Sequence, residues 1–197
     1  LVALRKAAFQ VVSLLSTTGY TSASYDRWPP LAAAVLFAVM FVGGMTGSTG
    51  GGPKVFRLLV MGKFLSVQLL RVWHPRSVPV LRLGELVLTE NLAGAVAAFL
   101  FLYMVLWFGG LLAMAAAGLD LVSAATAAVA CLGNIGPGFG SVGPAGNYAG
   151  VPAAGKVVLA VLMIAGRLEV LGIAALLHPA FWASRAAYRR AALSAAR

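Results

Sequence analysis

Acidic side chains are almost missing from this chain: five Asp and Glu stand among 197 residues, against 15 Lys and Arg and two His. Charged residues of both signs make up 10%, far below the roughly one quarter that a water-soluble domain needs to solvate its surface. Hydrophobic side chains reach 61% and the mean hydropathy is +0.93, so an ordinary soluble globular domain is excluded and lipid is the solvent for most of the chain. A net charge of +10 would point to nucleic acid if it formed a basic face on a soluble body. Here the basic residues fall instead into two clusters beside apolar runs, Arg57 to Arg82 and Arg185 to Arg197, the pattern of cytoplasmic flanks of membrane helices. Cys131 is the single cysteine, which excludes an internal disulfide. The first residue is Leu1 and no cleavable signal pattern precedes the apolar runs, so a start inside a longer protein is expected.

Apolar run lengths set the expected topology, since about 20 helical residues cross a bilayer. Leu31 to Val42 is uncharged but too short to span, and it runs into a Gly-rich break at Gly43 to Gly52. Together with Val55 to Leu70 it reads as one crossing, residues 31 to 72, made of two half-helices. Irregular backbone at membrane depth is tolerated where protein or a water-filled cavity surrounds it. Asn91 to Ala117 and Ala153 to Leu177 are long enough to cross, whereas residues 5 to 16 and 121 to 132 have the length of re-entrant helices. The basic linker Arg71 to Arg82 and the tail from Arg185 should both be cytoplasmic. Residues 1 to 30 and 119 to 152 are then on the outer side, and both re-entrant helices enter from there.

The sequence repeats itself. Pro30, thirteen residues, then Gly44 matches Pro152, thirteen residues, then Gly166, and each match follows a short helix and a Gly-containing loop: Ser16-Thr17-Thr18-Gly19-Tyr20-Thr21 in one half, Gly133-Asn134-Ile135-Gly136-Pro137-Gly138 in the other. The unit is short helix, loop, spanning helix, with a preceding spanning helix in the second unit only. A helix that descends, turns at a Gly and returns as extended chain is the plan of a potassium-channel pore loop, where backbone carbonyls replace the ion's water shell. Gly19 and Gly136 supply the backbone freedom to aim consecutive carbonyls at one axis. Neither loop carries a charged side chain, which suits a site that strips a monovalent cation with dipoles.

The stretches Ser16 to Tyr20 (STTGY), Asp26-Arg27-Trp28-Pro29, Gly43 to Lys54 (GGMTGSTGGGPK), His74-Pro75-Arg76, Gly133 to Pro144 (GNIGPGFGSVGP) with Asn147-Tyr148, and Gly166-Arg167-Leu168-Glu169 resemble the Trk/Ktr/HKT potassium-uptake family, and within it the bacterial Trk-type membrane subunit. Met45 and Pro53 depart from that pattern. The resemblance implies an all-α membrane protein with four helix, pore-loop, helix repeats around one ion path. This chain would hold the third repeat without its first helix (residues 1–72), a cytoplasmic linker (73–82), the fourth repeat (83–182) and a basic cytoplasmic tail (183–197). The resemblance also implies a filter formed by Thr17, Thr18, Gly19, Tyr20, Asn134, Ile135, Gly136 and Pro137, with K⁺ met by Thr17, Thr18, Asn134 and Ile135. It implies an intramembrane gate at Gly43, Gly44, Thr46, Gly47, Ser48, Thr49, Gly50, Gly51 and Gly52. A bacterial inner-membrane location, a homodimer, a cytosolic nucleotide-binding regulatory subunit of the TrkA type, no enzymatic activity and no cofactor beyond the transported K⁺ complete what it implies.

Several residues carry readings of their own. Arg167 lies fifteen residues into a crossing, where an ionised side chain must face protein or water. Its donors can satisfy carbonyls of the Gly-rich loop and hold it closed, while its charge opposes cations. Glu169, two residues on, points to another side of the helix and has an arginine elsewhere as its expected partner. Asp120 should favour the positive end of the helix after it; His74 and His178 read as helix-boundary residues, and Trp28, Trp73, Trp107 and Trp182 as interfacial anchors. Two other functions compete: a secondary carrier with broken helices, and an intramembrane serine protease built on Gly47-Ser48-Thr49-Gly50 and a histidine.

Overall fold

The computed structural model describes residues 1–48, 50–74, 82–83 and 86–169. Thr49, the Pro75-Arg76 pair, His178, Trp182, the arginines of the tail and the end of the last expected crossing lie outside the described residues. The described elements are six α-helices, α1 (Val2–Leu15), α2 (Pro30–Val39), α3 (Val55–Trp73), α4 (Glu90–Ala116), α5 (Leu121–Leu132) and α6 (Ala153–Arg167). Short 3-10 turns lie at Tyr25–Arg27, Gly140–Val142 and Tyr148–Gly150. A two-residue antiparallel ladder, Arg82 with Val87 and Leu83 with Leu86, is the one strand pair among the described residues.

Local chemistry explains the helix starts. Pro30 opens α2 and Pro152 precedes α6, positions where a missing N–H costs nothing. The Thr89 side chain accepts the Leu92 amide at the start of α4, and the Asp120 carboxylate accepts the Ser123 amide at 3.1 Å at the start of α5, as its place at a helix start required. Residues Asn91–Ala116 of α4, with a mean hydropathy of 2.2 over their most apolar window, are long and apolar enough to cross a membrane. Phe101, Met104, Phe108 and Leu112 on this helix are exposed. Helices α2 and α5 are apolar and shorter.

The Gly-rich break takes a defined form. Gly43 and Lys54 pair as an isolated parallel bridge; the Gly43 amide donates to the Pro53 carbonyl at 2.8 Å and the Val55 amide to the Gly44 carbonyl at 3.2 Å. The chain therefore leaves the end of α2, makes a loop and returns beside its own departure point to start α3. Two half-helices joined by a closed excursion are what the run lengths predicted, although α2 ends at Val39, before the first glycine.

Helix α5 is the centre of the packing. Its buried Ala124, Ala127, Ala128 and Cys131 meet Phe99, Tyr103 and Met114 of α4 and Leu159 and Leu162 of α6. Its other side, through Val129 and Ala130, joins Leu14 of α1, Tyr25, and Leu36 and Met40 around α2. Small residues on one helix let the neighbouring backbones approach closely. A separate cluster joins Val60 and Val67 of α3 to Ala93 and Val96 of α4.

Two expectations are corrected. Trp107 is not an interfacial anchor: it sits past the middle of α4, donates its indole N–H to the Ala125 carbonyl at 3.1 Å and meets the Phe41 ring edge-on at 5.2 Å. Its polar N–H finds a partner in the protein, so it needs no membrane surface. Nor does α6 continue unbroken toward Leu177. It ends at Arg167, and Glu169 adopts a left-handed φ of 53°, which α-helical backbone does not allow.

Candidate functional site

Both repeated loops leave their short helix through the same backbone exit. At the end of α1 the Thr18 amide reaches back to the Ser13 carbonyl at 3.0 Å; at the end of α5 the Ile135 amide reaches the Ala130 carbonyl at 2.8 Å. This six-residue return needs a left-handed residue just past the helix. Thr17 (φ 56°) and Asn134 (φ 54°) occupy those positions, and Gly19 (φ 74°) and Gly136 (φ 111°) follow two residues later in each. A β-branched Thr rarely adopts such a φ, so Thr17 is held there by its surroundings. The two loops touch: a Cβ added to Gly19 would overlap the Ile135 carbonyl and stand 3.1 Å from the Pro137 ring.

Carbonyl bookkeeping separates the eight residues of these loops. The Tyr20 carbonyl accepts the Ser13 hydroxyl at 2.7 Å, and the Gly136 carbonyl accepts the Tyr148 hydroxyl at 2.8 Å. No described hydrogen bond ends on the carbonyls of the other six, Thr17, Thr18, Gly19, Asn134, Ile135 and Pro137. Of these residues Ile135 is buried, Thr17 and Asn134 are half-buried and Thr18 is exposed, so the carbonyls are open to water or an ion.

The Gly-rich loop lies against both of these exits. A Cβ on Gly50 would come within 2.7 Å of the Thr17 hydroxyl, and one on Gly51 would overlap the Gly133 carbonyl and come within 3.2 Å of the Asn134 Cβ. Residues larger than glycine do not fit there. On the far limb of the loop Met45, Thr46 and Gly47 are exposed, with Gly47 at a φ of 87°, while the Ser48 hydroxyl is buried without a partner among the described residues.

Below this loop is a cavity of about 230 Å³. Ser48, Gly50 and Gly52 line it from the loop, Lys54 and Arg57 from the start of α3, Phe99 and Tyr103 from α4, and Gly166, Arg167 and Glu169 from the end of α6. Lys54 Nζ donates to the Ser48 carbonyl at 3.0 Å and lies 3.7 Å from the Glu169 carboxylate. Arg57 donates to the same carboxylate at 2.6 Å, and its guanidinium covers the Phe99 ring at 4.0 Å. Two cations, Lys54 and Arg57, thus share one carboxylate, and Arg167 lines the same cavity. The Tyr103 hydroxyl and Arg57 Nη1 are buried with no partner among the described residues.

The expected arginine partner of Glu169 is therefore Arg57. Arg167 and Glu169 line one cavity, where the sequence had placed them on different sides of a continuous helix; the left-handed turn at Glu169 brings its carboxylate round. Lys54 was missed as a site residue, although a lone lysine closing a Gly-rich loop in a chain so poor in charge is a visible signal. An intramembrane serine protease is excluded for His74, which caps the far end of α3. The helix's 19 residues, about 28 Å at 1.5 Å each, separate it from Ser48.

The TrkH family, described as cation transport proteins, matches residues 2–182. The chain belongs to the TrkH family. It is accordingly a helical, membrane-embedded protein and not an enzyme. The Trk system potassium uptake protein TrkI of Halomonas elongata is 41% identical over 180 residues, which cover 91% of this chain and 37% of that protein. The Trk system potassium uptake protein TrkH of Escherichia coli K12 is 40% identical over 182 residues, covering 92% and 37%. A crystal structure of the potassium transporter TrkH from Vibrio parahaemolyticus matches with a TM-score of 0.82 and 38% identity over 90% of this chain and 37% of that one. The TrkH-family chain thus spans a little over a third of the length of these relatives. Neither a secondary carrier nor a protease finds support among them.

Proposed function

We propose that this chain supplies part of the ion path of a potassium uptake protein, with the loops 17–20 and 134–137 as two segments of a carbonyl-lined filter. The observation that carries this is the matched pair of exits: left-handed residues at the same two positions of each loop, with the carbonyls of Thr17, Thr18, Asn134 and Ile135 free of described donors. Two loops of different sequence do not form four identical rings of oxygens, so K⁺ over Na⁺ preference is expected to be modest. The loop Gly43 to Gly52 acts as the gate beneath them, held shut by contacts to cations around the cavity, Arg167 among them. Glycines allow such a segment two backbone arrangements.

The filter loops face the outer side of a bacterial inner membrane and the linker 73–82 and tail 183–197 the cytoplasm, as the distribution of arginines favours. The names of the relatives support K⁺ as the transported ion. The family likeness supports a homodimer and a TrkA-type cytosolic nucleotide-binding subunit, for which Arg71, Arg76, Arg82 and Arg185 to Arg190 offer basic contacts.

The test is ⁸⁶Rb⁺ uptake into proteoliposomes containing this sequence within a full-length, four-repeat TrkH-family protein. Uptake that K⁺ suppresses more strongly than Na⁺, and whose preference falls in Gly19→Ser and Gly136→Ser, is the expected result. Unchanged preference in both variants removes these loops from the ion path.

A further inference from the structure

The second filter loop is held from outside by two tyrosines that the ion path itself does not explain. Tyr148, in the 3-10 turn ahead of α6, donates its hydroxyl to the Gly136 carbonyl at 2.8 Å. Tyr25, from the other repeat, donates to the Gly138 carbonyl at 2.9 Å and meets the Phe139 ring at 4.8 Å. Its neighbour Asp26 accepts the Gly140 amide at 3.1 Å, so the Asp-Arg-Trp-Pro stretch and the Asn-Tyr pair both end on the same return limb. Beyond Gly138 the limb is pinned to α5, the Phe139 amide donating to the Thr126 hydroxyl at 3.0 Å and the Ser141 amide to the Ser123 hydroxyl at 2.9 Å.

We infer that Tyr25 and Tyr148 are specificity-determining positioning residues, which fix the direction of the Gly136 and Gly138 carbonyls and through them the spacing of the oxygens offered by Asn134 and Ile135. A glycine peptide rotates at little cost, and Gly136 at φ 111° has nothing within 4 Å of where a Cβ would stand. Pro137 after it limits Gly136 to extended ψ values, and within that range the Tyr148 hydrogen bond is what aims the carbonyl. A filter that discriminates ions by the number and placement of carbonyls loses discrimination when one peptide samples a second orientation. Burial, with the Asp26 carboxylate adding to it at Tyr25, pushes both hydroxyls above the usual tyrosine range, so they remain donors at any working pH. The first loop has a clamp of its own, the Ser13 hydroxyl on the Tyr20 carbonyl, and does not depend on the tyrosines.

This inference rests on the filter assignment proposed above, and the experiment separates the two. Full-length wild type, Tyr148→Phe and Tyr25→Phe are reconstituted, and the concentrations of unlabelled K⁺ and Na⁺ that halve ⁸⁶Rb⁺ uptake are measured. Phe keeps the ring and its packing, and removes one hydrogen bond. The K⁺ over Na⁺ preference should fall about three- to ten-fold in each variant, the scale of one such bond acting on one of two peptide orientations. A tyrosine that only supports the fold lowers K⁺ and Na⁺ transport together and leaves their ratio unmoved. A wild type with K⁺-preferring uptake and both variants within two-fold of its preference overturns the tyrosine inference and leaves the filter standing. A wild type without K⁺-preferring uptake overturns both. Should Tyr148→Phe not fold, Tyr25→Phe combined with Thr126→Val decides, since Thr126 holds the same Gly138-Phe139 peptide through the Phe139 amide; a preference within two-fold of wild type in that double variant overturns the inference.

Discussion

Gly19 and Gly136 occupy equivalent places in the two loops but not equivalent surroundings. Both have left-handed backbone, so an alanine at either carries about 1–2 kcal/mol of strain. Only at Gly19 would the new methyl also run into the other loop's Ile135 carbonyl. Gly19→Ala is therefore expected to lower both the melting temperature and the K⁺ over Na⁺ preference more than Gly136→Ala does. Thermal denaturation and ⁸⁶Rb⁺ competition on the two full-length variants check this, and an equal or reversed order rejects the contact between the loops. At the start of α5 the capping carboxylate makes stability depend on pH. The side-chain hydrogen bond with Ser123, and after it the Ser123 amide, hold the Asp120 carboxyl below the usual aspartate range. The native state then binds the proton less readily than the unfolded one, so this cap stabilises above the unfolded value of about 4 and is lost as pH falls through the lowered native value. Asp120→Asn keeps an accepting cap that does not titrate. The difference in melting temperature between wild type and Asp120→Asn should accordingly shift against the wild type as pH is lowered from 7 to 3, whereas a constant difference shows that the carboxylate does not cap α5. The acid at a helix start was legible from its place in the sequence. The buried partner of Trp107 was not, because apolar periodicity around an uncharged helix says nothing about which face meets protein.

Helices were legible because their lengths and breakers were local: Pro30, Pro152, the Gly run and the charge-free stretch from Asn91 fixed most boundaries to within a few residues. The end of α6 was not, since Leu168 and Glu169 carry no breaker signal. That turn is made by tertiary charge, with Arg57 and Lys54 on a distant segment drawing in the Glu169 carboxylate. For the same reason the loop's contact to Lys54 was hidden, although the loop itself was plain. Held at one end by Lys54 on the Ser48 carbonyl and facing Arg167 across the cavity, the loop should move more freely when either cation is removed. If the loop is the gate proposed above, Lys54→Met and Arg167→Ala are both expected to raise ⁸⁶Rb⁺ flux, because each would loosen the loop and remove positive charge from the proposed path of a cation. Deleting residues 48–50 should raise flux as well, and adding either substitution to the deletion should gain little, since changes on one element do not add. Lower flux in Arg167→Ala, normalised to folded protein, marks instead a structural arginine whose loss strands a buried partner. Strictly additive gains show that loop and cations act separately.

Across the whole molecule, the loop 134–137 is more buried than the loop 17–20. Ile135 is 4% exposed, while Thr18 at the matching position of the first loop is exposed; at the next matched end Pro137 is half-buried and Tyr20 72% exposed. Helix α1 likewise presents Val2, Leu4, Phe9 and Val12 outward, and α6 presents Val157, Val161 and Ile164. Apolar faces on both sides of an incomplete ring of loops are what a chain spanning a little over a third of its relatives' length should show, since the resemblance implies four repeats around the path. On the filter proposed above, the carbonyls of Thr17, Thr18, Asn134 and Ile135 would supply about half of an ion's coordination shell, and half a shell does not replace the water a cation must shed. Residues 1–197 reconstituted alone are therefore expected to give no K⁺-selective ⁸⁶Rb⁺ uptake under conditions in which the full-length protein does. Two copies related by a two-fold axis are the one arrangement that would complete the ring from this chain alone, each copy covering the other's more exposed loop. K⁺-selective flux from the isolated segment, rising with the square of its density in the vesicles, would show that pairing and overturn the expectation.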